Sequence, residues 1–318
     1  MSDEIDFGVF LSTELPSFSH ILSDVRRCED LGYHSVWFSD HVLGMYESPA
    51  SSRFENWTLL SALAGATSRI RLGQLVLCNP LRHPPLLAKM AASLDAISGG
   101  RLELGLGAGW HEPEFKAYGY RFEKPWTRVG RLSEAVQIIK LMWTESSPSF
   151  KGRYYRIENA YCNPKPVQNP HPPILIGGGG ERSMLRVVAQ YADVCNFSAW
   201  QGKPEDYRHK LDVLERYCRR VKRDPGEIRK SWAAFVLVSK DAKEAEEKIR
   251  KYVSSRVTPQ GPPPERLIPP IAGTPEECIK QVQRYVDIGV SLFILRFMGR
   301  DYSDETKVFA EEVLPALR

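Results

Sequence analysis

The sequence predicts a closed (β/α)8 barrel of the α/β class, and three observations carry that prediction. Short runs rich in Val, Ile, Leu and Phe recur eight times, at residues 6–11, 35–39, 69–77, 101–106, 173–176, 193–197, 232–238 and 291–297. Polar residues seldom alternate within the runs, which suits strands buried on both faces, as in a parallel sheet. Amphipathic helical stretches separate them, so one chain of 318 residues supplies eight β–α units and room for an insertion. Such a barrel does its chemistry at the carboxyl ends of its strands, which directs attention to the residues just after each run.

The helices follow from their start and stop signals. A helix over 18–31 follows Pro16-Ser17 and stops at Gly32. Helices over 56–67 and 84–97 come next, the second opening on Pro84-Pro85 and ending at Ser98-Gly99-Gly100. A long helix spans 126–143. After this fourth unit, residues 146–172 form an irregular insertion with an aromatic run from Phe150 to Tyr161 and several prolines, predicted to hold a hairpin beside the barrel or over its mouth. Helices over 182–191, 205–223, 242–252 and 275–288 complete the set, and 303–317 reads as a closing helix. Residues 257–270 carry six prolines in fourteen positions and form a loop, a candidate lid near Gly261. No linker divides the chain, so residues 1–318 are expected to form one barrel domain.

Composition narrows the function. The net charge is +4, with both signs mixed along the helices, which argues against a nucleic-acid partner. Six cysteines lack any Cys-x-x-Cys spacing, so reduced thiols are expected rather than a zinc site or a disulfide framework. The histidines lack the His-x-His and His-Glu-x-x-His spacings of common metal sites. The amino terminus is acidic and no stretch approaches the ~18 apolar residues of a membrane span. A cytoplasmic protein with no membrane partner is expected.

The strand ends carry the candidate chemistry. Asp40-His41 follows the second run directly, and a histidine at that rim can give or take a proton at neutral pH. The alternative is that Asp40 caps the following loop and His41 packs. In Gly105-Leu-Gly-Ala-Gly-Trp110, glycines at every second position strip side chains from the barrel mouth and open it to a flat ligand, or else permit tight packing. The spacing does not match the dinucleotide fingerprint. In Ile174-Leu-Ile-Gly-Gly-Gly-Gly180, four glycines precede a helix beginning near Arg182, and bare backbone N–H groups there suit an anion such as phosphate. No Gly-Lys-Ser/Thr follows, which disfavours an ATPase. Cys78, in Leu75-Val-Leu-Cys-Asn79-Pro80, reads as a small core hydrophobe rather than a nucleophile. His83 is placed to cap a helix, and His34 sits at the amino end of the second strand, away from the chemistry.

Five segments in order resemble the luciferase-like monooxygenase superfamily, in its branch of oxidoreductases that use the deazaflavin coenzyme F420. They are Asp6-Phe-Gly-Val-Phe, Ser-Val-Trp-Phe-Ser-Asp-His41, Thr67-Ser-Arg-Ile-Arg-Leu-Gly73, Ser98-Gly-Gly-Arg-Leu-Glu-Leu-Gly-Leu-Gly-Ala-Gly-Trp110 and Pro173-Ile-Leu-Ile-Gly-Gly-Gly-Gly180. The resemblance implies a tricyclic ring across the carboxyl face and a hydride exchanged with a small organic substrate. It implies a non-proline cis peptide joining Leu75 and Val76, whose bulge presses on one ring face. Asp40, Cys78 and Asn79 would lie near the ring edges. Gly107 and Gly109, with Ala108 between them, would flank its polar end. Gly178, Gly179, Gly180 and Ser198 would hold the cofactor phosphate, and His41 would stand over the reactive ring carbon to handle the proton. Sugar and alcohol dehydrogenases of this branch carry a glutamate where this chain has Trp110. That residue is then expected to pack substrate or ring, with Glu112, Glu114 and Glu14 the carboxylates available to replace the missing acid. The resemblance also implies a homodimer. FMN with oxygen, as in a monooxygenase, is the alternative cofactor, and a non-catalytic flavin-binding protein is a further one. A sugar-phosphate barrel fits less well, because its phosphate loops follow strands seven and eight rather than the fifth.

Overall fold

The eight apolar runs become eight parallel strands of one closed barrel in a computed structural model, which describes residues 4–14, 17–45, 48–197, 202–258, 261–299 and 302–318. The strands are β1 (Asp6–Phe10), β2 (Ser35–Phe38), β3 (Arg71–Gln74), β4 (Leu102–Gly107), β5 (Ile174–Gly177), β6 (Val194–Asn196), β7 (Arg229–Val238) and β8 (Val290–Phe297). Each pairs with the next in parallel, and β8 closes on β1 with Leu292 opposite Asp6.

The two-residue period of a strand sorts its side chains. Leu292 and Ile294 of β8 point into the barrel beside Phe10, Trp37, Leu175, Val194 and Ala233. Phe293 and Leu295 point outward into the shell between sheet and helices. Trp37 fills the barrel interior because its neighbours give way. A Cβ on Gly8 would lie 2.6 Å from the indole Nε1, and one on Gly73 would overlap the six-membered ring. The indole N–H donates to Ser35 Oγ at 2.8 Å, which satisfies a buried donor.

The outer layer comprises α1 (Phe18–Asp30), α2 (Asn56–Ala66), α3 (Pro84–Ser98), α4 (Glu112–Ala117), α5 (Pro125–Thr144), α6 (Met184–Tyr191), α7 (Pro204–Val221), α8 (Ala242–Ser254), α9 (Pro275–Val286) and α10 (Tyr302–Val308). Gly99 ends α3 in the left-handed region at φ 66°, as its sequence stop predicted. The insertion does hold a hairpin, Phe150–Lys151 against Arg156–Ile157. The Glu134 carboxylate of α5 ties it down by accepting the amides of Arg153, Tyr154 and Tyr155.

The third run breaks where the resemblance implied: β3 ends at Gln74, the Leu75–Val76 peptide is cis, and Leu77–Cys78 resumes pairing with β4. Three features depart from the sequence reading. The short helix α4 and a three-residue strand, Ile271–Gly273 on the far end of β7, were not expected. Both are too short for a hydrophobic period to show. Helix α6 begins at Met184, two residues beyond the expected start.

At the amino ends of the strands the barrel carries a ring of paired charges. Arg229 meets Asp6 at 2.6 Å and Arg71 meets Glu103 at 2.5 Å. His34 joins Asp6 at 3.3 Å, at the end remote from the mouth, as expected. Burial pushes the His34 imidazole down to about 4. The Asp6 charge opposes this, and the Arg71 and Arg229 charges reinforce it.

Candidate active site

The carboxyl ends of the strands enclose a cavity of about 550 Å³. Leu75 and Val76 form its apolar floor, packed against the side chains inside the barrel. The glycines around them serve that floor. A Cβ on Gly107 would stand 2.5 Å from Val76 Cγ2, one on Gly177 would stand 2.9 Å from Cγ1, and one on Gly105 would collide with the Gln74 carbonyl. The sequence reading left this bare strip open between a ligand close to the backbone and tight packing, and in the structure residues 74–76 pack into it. Gly109 does need glycine's freedom. Its φ is 78°, and a Cβ would press on Cys78 Sγ.

His41 and Glu114 meet at the cavity wall. His41 Nδ1 lies 2.8 Å from Glu114 Oε2, and Glu114 Oε1 accepts the amides of Val42 and Leu43 at 2.7 and 3.1 Å. Helix α4 exists in the right place to do this, carrying Glu114 under the loop after β2. Burial alone would raise the Glu114 carboxyl. The hydrogen bond from His41 and those from the Leu43 and Val42 amides outweigh it and hold the group below the ordinary carboxylate range. An ionised acceptor at Nδ1 fixes the proton there, which leaves Nε2 as the other working nitrogen. Trp110 and His111 stand edge-on to the His41 ring at 5.7 and 5.9 Å, and the Trp110 side chain is 66% exposed at the rim. Of the carboxylates weighed against the missing family glutamate, Glu114 reaches His41. Glu14 is instead bound by Arg53 at 2.5 Å and by the Met45 amide, and Glu112 pairs with Lys116 on the surface.

Asp40 lines the cavity, but its oxygens are engaged. Arg82 donates to both, at 2.6 and 2.9 Å, and the Cys78 amide donates to Oδ2 at 2.8 Å. Arg82 also meets Glu55. Asp40 therefore fastens the end of the third run to the end of β2. Cys78 lines the cavity as a neutral thiol, pushed up to about 12 by burial and then by the Asp40 and Glu114 charges. Gly107, Ala108, Gly109, Trp110 and Gly178 line the wall as the sequence suggested. Asn79 does not. It lies 1% exposed in a short turn with its side-chain amide lacking a protein partner. Gly179 and Gly180 lie beyond Gly178, off the cavity wall, and Ser198 falls outside the described residues. The described part of the proline-rich loop contributes nothing to the wall. His83 precedes α3 without a side-chain capping bond.

Sequence reasoning missed Arg82, His111, Asn196 and Arg296, all but Arg82 lining the cavity. Arg296 had a signal: it is the one charge in an apolar run, at the third inward position of β8. Among the described residues no group of three or more His, Cys, Asp or Glu side chains converges to hold a metal ion, and no helix is long and apolar enough to cross a membrane.

The site is thus a (β/α)8 barrel mouth floored by a broken third strand, with a histidine–carboxylate pair at its edge. The sequence model of the luciferase-like monooxygenase family matches residues 5–267, and the chain belongs to that family. It is 27% identical to the F420-dependent glucose-6-phosphate dehydrogenase of Microbacterium testaceum, over 100% of this chain and 99% of that one. It is 28% identical to the phthiodiolone/phenolphthiodiolone dimycocerosates ketoreductase of Mycobacterium tuberculosis, over 80% and 70%. Its fold matches an F420-dependent secondary alcohol dehydrogenase in complex with an F420–acetone adduct, with a TM-score of 0.82, 22% identity and 99% of each chain covered.

Proposed function

We propose that this chain is an F420-dependent oxidoreductase that moves a hydride between the deazaflavin and a small organic substrate. The observation that carries the reading is the His41–Glu114 pair at the edge of a flat-floored cavity. The residues present fit the cofactor. Val76 and Leu75 offer an apolar floor, and the backbone from Gly107 to Gly109 offers polar groups beside it. Gly178 lines the cavity, and Gly179 and Gly180 follow it towards α6, where bare backbone amides would suit a phosphate-bearing tail. Relatives 27–28% identical, named as F420-dependent dehydrogenases, support the same choice.

When bound, the deazaflavin supplies a carbon that accepts or donates hydride. The chain aligns and handles the proton. His41 Nε2 takes the substrate hydroxyl proton when the alcohol carbon is oxidised, and returns it when a carbonyl is reduced. Glu114 stabilises the imidazolium formed in between and holds the ring in one orientation. Trp110 and His111 wall the substrate side. The test is a titration of the purified protein with F420 and with FMN, followed by cofactor fluorescence. Micromolar binding of F420 with no oxygen uptake is expected. Binding of FMN alone, with oxygen consumed, would replace this reading with a monooxygenase.

A further inference from the structure

We propose that His111 is the proton relay of the site, carrying the proton between His41 and solvent while the cavity is filled. The inference deepens the reading of the cavity as a cofactor-and-substrate site and rests on it. Geometry gives the first argument. His41 and His111 both line the cavity, one after β2 and the other after β4. Their rings stand perpendicular, at 89°, with centroids 5.9 Å apart, a separation that one water molecule spans. Trp110 stands edge-on to both, 5.7 Å from His41 and 5.0 Å from His111, and completes the cluster. His111 is half-buried beside this exposed residue, so it reaches both the cavity and solvent.

Elimination gives the second argument. Among the described lining residues the ionisable side chains are Asp40, His41, Cys78, His111, Glu114 and Arg296. Asp40 is buried and paired to Arg82 through both oxygens. Glu114 is held below the ordinary carboxylate range, against its burial, by the bonds from His41 and from the Leu43 and Val42 amides, which makes it a poor proton acceptor at neutral pH. Cys78 is pushed up to about 12 by burial and then by the Asp40 and Glu114 charges, so its thiol releases no proton there. An arginine keeps its charge throughout. The remaining partner for His41 is His111, and imidazole is the side chain suited to take up and release a proton near neutrality. Next to His111 in the chain, Glu112 pairs with Lys116 at 2.9 Å.

The reaction gives the third argument. Oxidation of an alcohol leaves a proton on His41 Nε2, while Nδ1 is occupied by Glu114 at 2.8 Å. The His41 side chain is only 17% exposed, and a filled cavity covers it further. The carbonyl oxygen of the product holds the Nε2 proton weakly, so the proton passes through one water to a ring nitrogen of His111. The opposite nitrogen of His111 releases a proton to solvent, and both rings return to the neutral form. Reduction of a carbonyl runs the same chain inwards. Only N–H and O–H bonds form and break in the relay, and the hydride is untouched.

The test reads the rate at which His41 gains and loses its proton, from carbon-13 relaxation dispersion of its ring Cε1 in histidine-labelled protein. Wild type, His111→Ala and His111→Gln are compared, each alone and saturated with F420. Circular dichroism checks that the variants fold, and His41→Gln assigns the signal. In the F420-loaded protein both variants are expected to slow the exchange at least about tenfold, and imidazole added to the buffer should bring His111→Ala back to within about twofold of the wild type. Without cofactor, where water reaches His41 directly, the three proteins should agree within about twofold. An unchanged rate in loaded His111→Ala or His111→Gln overturns the inference. So does a slowing that imidazole does not relieve, which would make His111 a packing residue, or an equal slowing in the cofactor-free protein, which would place the effect on His41 itself. If FMN binds and F420 does not, the functional reading falls, and the same comparison in the FMN-loaded protein decides the relay. Binding of neither ring strikes both.

Discussion

At the residue scale the site turns on the Glu114 carboxylate, on which three donors converge: the His41 ring and the Val42 and Leu43 amides. In Glu114→Gln the amide oxygen keeps the backbone donors, but its NH2 group turns to Nδ1 and favours the opposite tautomer. We expect kcat to fall about 10- to 100-fold, with the F420 dissociation constant unchanged within error. A fall in affinity alone would assign Glu114 to the cofactor. Cys78 offers the contrasting case. Although it faces the cavity, a thiol held near 12 has about one thiolate in ten thousand at pH 8. Iodoacetamide should modify it only after unfolding, and Cys78→Ala should retain turnover. Rapid labelling of the native protein would contradict the buried-thiol picture. The sequence made both residues visible, His41 by its place after a strand and Cys78 by its apolar company. It could not show that Glu114 meets His41, because 73 residues separate them.

At the element scale the third strand is the decisive piece. Its break puts Val76 over β4 and β5, and the glycines of those strands are the complement of that side chain. Gly107→Ala would push a methyl into Val76 and is expected to cost about 1–3 kcal/mol of stability, seen as a lower urea midpoint, together with weaker cofactor binding. An unchanged midpoint would mean that the floor yields. A second element-scale prediction concerns α10. Glu305 is fully buried behind the end of β8, where it accepts the Gly299 amide at 2.9 Å. Burial raises its carboxyl to about 7, against the lowering effects of that bond and of Lys248. The unfolded chain releases this proton near the ordinary carboxylate value and the folded chain keeps it until about 7. The group's contribution therefore falls as pH rises between those values and stays low above them. Glu305→Gln should raise the melting temperature at pH 8 and leave it nearly unchanged at pH 5. Equal shifts at both pH values would refute the titration.

At the scale of the whole molecule the barrel divides its labour between two ends. The amino ends of the strands carry Asp6, Arg71, Glu103 and Arg229 in paired, partly buried charges that serve the fold. The carboxyl ends carry the cavity. Binding there should stabilise the entire barrel, since its wall draws on residues from all eight strands or the loops that follow them. F420 at one hundred times its dissociation constant is expected to add about 2.7 kcal/mol to the free energy of unfolding, read as a concentration-dependent rise in melting temperature. No rise at saturating F420 would count against the cofactor assignment.

The sequence by itself determined the eight strands, most of the helices and the strand ends where the cavity opens. These are local properties: a buried parallel strand announces itself by a continuous apolar run, and a helix by its period and its caps. It also placed His41 and the glycine clusters at the mouth. Only the tertiary structure decided what those residues touch. Closure of the barrel brought Arg82 to Asp40, Val76 onto the glycines and Glu114 to His41, and turned Arg296 into the cavity. Such contacts depend on how strands far apart in the chain are aligned around the ring, a distance that no local pattern of residues encodes.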